Sequence, residues 1–461
     1  MQKLIAKYGL AAHLAILAVA PLVLSPFFCE SVIAGVLLWL SLIAGLWTLL
    51  EPSMHGGERL HDARRRVVRS VLGDPLAWIL LAVVLFSGLR ALNTGIAFSY
   101  NAETAAWNVS AAAFSIFPGV VGSSGDLDFS AAVAFLVLVL ACRHSLGRAA
   151  RMAFLLLSSA FAGLAAILAL WALREGTLGA EAMLLSKAIG SCSFVGFSFG
   201  LYLMGGIVSL VALFEDKWVM AVPIALLGIS GASAGLFAFA PAYLVVGVVV
   251  AVLITMVYAS FYVYWKLRSA SECKLVVVAG IALTLGGFLL VVLLPSSVFS
   301  KQLAAFESLR FFPERYWEIR KVLSGVAFES WVSNLWIGTG LGSFPLDFRF
   351  AAKPENWLLL PRGATALSNG WWFLLVERGI VGLAFLVLPF GFLLISYVHR
   401  AVVGLNVRML PHPMALLLPL TLVMFVGGAF FDCSALREEA LMAMGSFAAI
   451  SVAVLWVRKR G

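Results

Sequence analysis

Charge is what this chain has least of. Only 12% of its 461 residues are Asp, Glu, Lys or Arg, about half the share found in soluble domains. With 62% apolar residues and a mean hydropathy of +1.02, a water-soluble globule is excluded, and the core must be set by a bilayer. Cysteine is also scarce. Cys29, Cys142, Cys192, Cys273 and Cys433 are scattered without a CxxC pair, which argues against a disulfide framework. The six histidines contain no HxxxH or HExxH spacing, so neither a metal nor a cofactor is expected. There is no evident repeat and no low-complexity segment. A cleavable leader is not expected, because the first apolar run is long, no small-residue cleavage site follows, and a second span comes at once. The net charge of +9 does not point to nucleic acid. Basic residues cluster in short connectors such as Arg64-Arg65-Arg66, the pattern of anchoring on a cytoplasmic face beside anionic lipid.

What is present is a succession of apolar windows, each of about the 20 residues needed to cross a hydrocarbon core. Twelve are read, at 9–28, 31–50, 75–92, 128–142, 152–173, 192–213, 218–239, 241–264, 275–294, 371–397, 411–431 and 438–457. The fold class expected is therefore all-α and polytopic. With the amino terminus inside, nineteen of the 32 basic residues fall in cytoplasmic segments. Short outer connectors and span ends keep only Arg90, Arg174, Lys187, Arg378 and Arg437. This asymmetry predicts both termini in the cytoplasm. Three regions result: spans 1–9 in residues 1–294, a large outer loop at 295–370, and spans 10–12 in 371–461.

The outer loop carries eight basic and six acidic residues and is rich in Phe, Trp and Tyr, unlike a solvated tether. Pro313 followed by Glu314 suits a helix start, and Tyr316, Ile319, Leu323 and Val326 recur at helical spacing. An amphipathic helix is predicted near 313–328, lying against the outer ends of the spans and broken by a flexible Gly338-Thr-Gly340-Leu-Gly342 turn. The connector at 93–127 is polar, nearly uncharged and without evident chemistry.

Several blocks in and after the loop resemble the signature region of the O-antigen ligase and polymerase superfamily of membrane glycosyltransferases. They are Arg315-Tyr-Trp317, Trp336-Ile-Gly338-Thr-Gly340-Leu-Gly342-Ser-Phe344, Asn369-Gly-Trp and Glu377-Arg-Gly379-Ile-Val-Gly382. A fainter echo lies at Gly190-Ser-Cys-Ser-Phe194-Val195. The resemblance implies an inverting enzyme of the bacterial inner membrane. It would take a glycan from a polyprenyl diphosphate carrier and pass it to a hydroxyl on a growing glycan or on lipid A core, without nucleotide or metal.

Such a reaction needs cations for a diphosphate, a proton acceptor and a groove for a lipid. Arginine suits the first, because its planar fork binds phosphate bidentately and stays charged. By resemblance Arg315 is the foremost candidate, with Arg310, Arg349 and Arg362 beside it. The bland alternative for Arg315 is an exposed helical residue paired with Glu318 at i+3. Trp317 and Asn369 join the substrate-binding set. Gly338, Gly340 and Gly342 either allow close backbone approach to phosphate or make a tight turn back to the membrane. Trp371 and Trp372 suit interfacial anchors better than a sugar platform.

The chain departs from the family at the proton acceptor. Where relatives place a histidine, this sequence has Ser368, and no histidine lies within 145–398. Serine does not accept a proton at neutral pH as imidazole does. Glu377, in the first turns of a span, is an alternative base, as is Glu355. Arg378 offers Glu377 a plain interfacial partner instead. Three functions stay open: the glycosyltransferase, a non-catalytic paralogue accessory to polysaccharide export, and a small-solute transporter. The scarcity of mid-span charge counts against the last.

Overall fold

A computed structural model describes residues 2–24, 30–50, 60–92, 97–101, 106–110, 124–175, 196–216, 221–240, 312–340, 369–406, 410–431 and 438–457, with a few isolated positions besides. Its helices are α1 (Gln2–Leu24), α2 (Glu30–Leu50), α3 (Leu60–Leu72), α4 (Pro75–Leu92), α5 (Ser124–Leu140), α6 (Arg148–Arg174), α7 (Gly196–Asp216), α8 (Val222–Phe239), α9 (Phe312–Ser333), α10 (Gly370–Asn406), α11 (Leu417–Phe431) and α12 (Glu438–Ala453). There are two small antiparallel pairs, β1 (Ala97–Asn101) with β2 (Ala106–Ser110), and β3 (Leu410–Pro411) with β4 (Trp456–Val457). The first pair lies in the 93–127 connector.

Among the described residues, seven helices are long and apolar enough to cross a membrane. They are Ser31–Leu50, Pro75–Leu92, Gly125–Ser145, Arg148–Ala172, Gly196–Leu213, Val222–Phe239 and Gly370–Val403. Shorter apolar helices run over Tyr8–Leu24, Pro413–Val426 and Ala440–Ala453. The chain is a multi-pass membrane protein built of helices. The expected spans at 241–264 and 275–294 lie almost wholly outside the described residues.

The bundle is centred on α7, of which every residue from Gly196 to Leu213 is buried. Tyr202 satisfies its buried hydroxyl by donating to the Ala18 carbonyl of α1 at 2.8 Å. On α8, Gly228, Gly231 and Gly235 fall on one face at spacings of three and four. A Cβ on Gly231 would collide with the Gly163 backbone of α6. With no hydrophobic drive between helices in lipid, such small-residue seams are how backbones approach closely enough to gain dispersion contacts. Outward-facing α2 instead exposes Trp39, Leu42, Leu46 and Leu49, as lipid contact requires.

Two elements differ from the sequence expectation. The Arg64-Arg65-Arg66 connector is not plain coil but the amphipathic helix α3. It turns Ala63 and Val67 into the protein and exposes Arg65 and Arg69, while Arg64 donates to the Leu50 carbonyl at the end of α2 at 2.9 Å. The loop helix α9 runs to Ser333, five residues past the predicted end. The extension is held by Trp331, which meets Phe328 and Trp372 edge-on at 6.0 and 6.1 Å between centroids. Leu323, Val326 and Ala327 of α9 pack on Val376 of α10, so the helix lies against a span as its periodicity requires.

Candidate functional site

The site is built around a break in α10. At Gly379 the backbone turns to φ 64°, ψ −169°, a conformation costly for any residue with a Cβ. An unbroken helix would bond the Ile380 and Val381 N–H groups to the Val376 and Glu377 carbonyls. Here Ile380 donates to Leu335 O and Val381 to Trp336 O, both at 3.1 Å. The two freed carbonyls accept from the same segment: Val376 from Thr339 N at 2.7 Å and Glu377 from Gly340 N at 3.2 Å. Thr339 Oγ1 adds a second bond to Val376 O at 3.1 Å. Residues 335–340 thus replace, group for group, the bonds the helix gives up. Unpaired backbone is tolerated at membrane depth only where it is re-satisfied in this way.

Glycine is required on both sides of this seam. Gly338 has φ 78°, and a Cβ there would lie 2.6 Å from Arg378 N. A Cβ on Gly379 would strike the Trp336 carbonyl. The turn at Gly338 and Gly340 is therefore pinned to α10 rather than flexible, and Gly342 lies outside the described residues.

Four charged side chains surround the break. Arg90, near the end of α4 and 7% exposed, donates through Nη2 to the Glu377 carbonyl at 2.7 Å. Its guanidinium also lies over the Phe86 ring at 5.6 Å. Arg378 pairs with Asp128 of α5 at 2.5 Å. Glu377 is 3% exposed. Both carboxylates act electrostatically on Arg90, as does the like charge of Arg378. Two cations and two anions are thus held together with little water, where their interactions are far stronger than at a surface.

Beside this group a small cleft lies between α4, α5, α10 and α12. Asp128 and Arg378 stand with apolar walls that include Val83, Phe135, Phe385 and Leu441.

Of the residues expected from sequence, the structure brings Gly338, Gly340 and Glu377 together. Asn369 caps α10: its Oδ1 accepts from Trp371 N at 2.9 Å, which accounts for the residue structurally. Trp371 packs edge-on against Phe425 at 5.5 Å and Trp372 joins the α9 aromatic group, so both stand against protein rather than as free interfacial anchors. Arg315 and Trp317 lie in the first two turns of α9. At 1.5 Å rise per residue, Arg315 is about 12 Å along the axis from Leu323, the residue that meets Val376. Ser368, Arg310, Arg349, Arg362 and Glu355 lie outside the described residues, as does the echo at 190–195. Just beyond that echo, Gly196 packs on Ala240 and Ser198 is fully buried in the bundle centre.

Three residues escaped the sequence reading: Arg90, Asp128 and Arg320. Arg320 is 4% exposed and shares one buried face of α9 with Leu323, Ala327 and Ser330. The available signal was a charge within an apolar window at Arg90 and Asp128, which is expensive unless paired or functional.

Neither a scan against protein-family models nor a search of curated proteins finds a match for this chain.

Proposed function

We propose that this chain is a twelve-span protein of the bacterial inner membrane with both termini cytoplasmic. It transfers a glycan from a polyprenyl diphosphate carrier to an acceptor hydroxyl, on a glycan or lipid A core, at the outer face. The observation that carries this reading is the reciprocal docking of two blocks on which the family resemblance was drawn. Residues 335–340 and 376–381, which contain the Gly338-Thr-Gly340 and Glu377-Arg-Gly379 cores of those blocks, close on one another through four backbone bonds. Charged groups and an apolar-walled cleft adjoin the same seam. In the orientation that positive-inside charge favours, the Arg90 end of the bundle faces the outer surface.

In this reading the acceptor oxygen attacks the anomeric carbon as the bond to the carrier phosphate breaks. The acceptor proton passes to the Glu377 carboxylate, the buried acid nearest the docked loop, since Ser368 is no base. The departing diphosphate is neutralised by guanidinium groups, Arg320 and Arg90 being the buried ones and Arg315 the one the resemblance supplies. Charge stabilisation of this kind is worth about 10²–10³ in rate per donor.

A second reading draws on the same site. Arg378 is already paired with Asp128, and Arg90 already holds a carbonyl, as would suit a non-catalytic paralogue whose charges only close the fold. Purified protein incubated with a polyprenyl-diphosphate glycan and candidate acceptors separates the two. The enzyme releases carrier diphosphate, and Glu377→Gln or Arg320→Lys lowers that release by about 10²–10³. No release with any native acceptor, or release indifferent to both substitutions, sinks the enzymatic reading.

A further inference from the structure

Helix α3 is a polar element set between two spans that face lipid. It carries four arginines against one carboxylate, Asp62. The arginines do not share one role. Arg64 is bonded to the Leu50 carbonyl at the end of α2, and Arg66 is half-buried. Arg65 and Arg69 are exposed. At about 100° per residue, these two lie on the same side of the helix as Val68 and Leu72, which are exposed as well. Ala63 and Val67 occupy the other side and pack inward. The outward face of α3 thus sets two guanidiniums beside two aliphatic side chains.

Its neighbours say what that face meets. Trp78, at the start of α4, donates through Nε1 to the Leu72 carbonyl at 3.0 Å. Trp78 also heads an exposed stripe that continues through Leu81, Leu85 and Leu89, on a helix long and apolar enough to cross a membrane. On the other flank, Arg64 holds the end of α2, whose exposed stripe runs from Trp39 to Leu50. Helix α3 therefore sits where two hydrocarbon-facing stripes end, with Leu72 beside the head of one of them. Tryptophan at the end of a span marks the headgroup level. Aliphatic side chains at that level favour the acyl boundary, and arginines favour acidic headgroups. A basic face flanked on both sides by lipid-facing stripes fits the bilayer better than a soluble partner.

We propose that α3 is an interfacial helix that docks on the anionic headgroups of the leaflet at its end of the bundle. Arg65 and Arg69 meet the phosphates, and Val68 and Leu72 enter the acyl boundary. The arginine triplet read from sequence as one anchor is thereby divided: Arg64 ties α3 to α2, whereas Arg65 acts with Arg69 on the lipid. The proposal is independent of glycan transfer and holds for either orientation of the bundle.

The test measures hydrogen–deuterium exchange over residues 60–72 of the full-length protein in nanodiscs. The discs hold phosphatidylcholine alone or mixed with phosphatidylglycerol. Docking suppresses local opening, so phosphatidylglycerol is expected to slow exchange across α3. Arg65→Gln and Arg69→Gln each reduce that slowing about fivefold, the value of one interfacial arginine. Asp62→Asn, which removes a charge of the opposite sign, increases it, and molar salt removes most of it. Leu72→Ser speeds exchange several-fold in both lipids, because the apolar contact is indifferent to the headgroup. Every substituted side chain is exposed, so the variants keep the bundle. Equal exchange in the two lipids overturns the proposal, as does a phosphatidylglycerol effect that survives Arg65→Gln and Arg69→Gln together. Inorganic phosphate that slows exchange as much in phosphatidylcholine discs also overturns it, since a soluble anion would then suffice.

Discussion

The two charged ends of the bundle are built on opposite plans. At the Arg90 end, two arginines face two carboxylates, and the group gathers around a helix that breaks in mid-course. At the Asp74 end, Arg143, Arg151 and Arg400 each bond to a group at the end of a helix. Asp74 Oδ1 accepts from Leu76 N at 3.1 Å, capping α4, while its other oxygen takes Arg143 and His144 from the end of α5. The first plan costs glycine and strain and yields a neutral buried polar site beside a cleft. The second is ordinary bonding of helix ends. Balanced charge around irregular backbone is the arrangement expected where chemistry is done.

The comparison breaks most readily at the glycine seam. Gly379→Val should cost roughly 5 kcal/mol or prevent folding, from positive φ and from collision with the Trp336 carbonyl. Gly338→Ala should follow it closely, whereas Gly391→Ala, with nothing within 4 Å of the added methyl, should be neutral. Thermal unfolding in detergent reads all three, and a tolerated Gly379→Val would remove the seam as an organising feature. Next in size is the outer ion pair. Asp128→Asn or Arg378→Gln alone strands a buried charge and should cost roughly 3 kcal/mol. The double substitution should recover much of that loss, and additive losses in the same cycle would show that the two do not act as a pair.

The smallest effect is expected at the opposite end. Asp74→Asn should cost about 1–2 kcal/mol through a weakened cap and lost charge-assisted bonds. Burial alone would raise the Asp74 carboxyl, but the His144 hydrogen bond, the Arg143 charge and the Leu76 N–H outweigh it and hold it below its ordinary value of 3.8. A depressed carboxyl stabilises the fold above that ordinary value and loses the contribution as pH falls beneath it. The wild type should therefore lose stability below about pH 4 more steeply than Asp74→Asn. Parallel acid profiles would rule out this role for Asp74.

Much of the fold was readable because the bilayer is a simple solvent. Ten of the expected apolar windows coincide with apolar helices, since a chain without water must satisfy its backbone within the helix. The loop helix was readable from its period, and its start at Phe312 agrees to within a residue. Helix α3 carries only a short apolar face, Ala63 and Val67, among its arginines, so its period is weak in the sequence. At the candidate site, Glu377 stood out as a carboxylate inside a span, and Gly338 and Gly340 by their spacing. Arg90 did not, because what makes it notable is a bond to Glu377, 287 residues away. Arg320 read as one of eight loop cations, and only the face of α9 that packs inward sets it apart.

The sequence by itself determined that this is a multi-pass helical membrane protein with a structured polar segment before α10, because run length, charge scarcity and helical period are local properties that transfer free energy acts on directly. Only the tertiary structure decided that the Gly-x-Gly turn repairs a broken helix, and that Arg378 meets Asp128 of a distant helix. The physical reason is that adjacent residues on a helix point about 100° apart. Which charges meet is set by the packing of separate helices, a long-range outcome that no local window records.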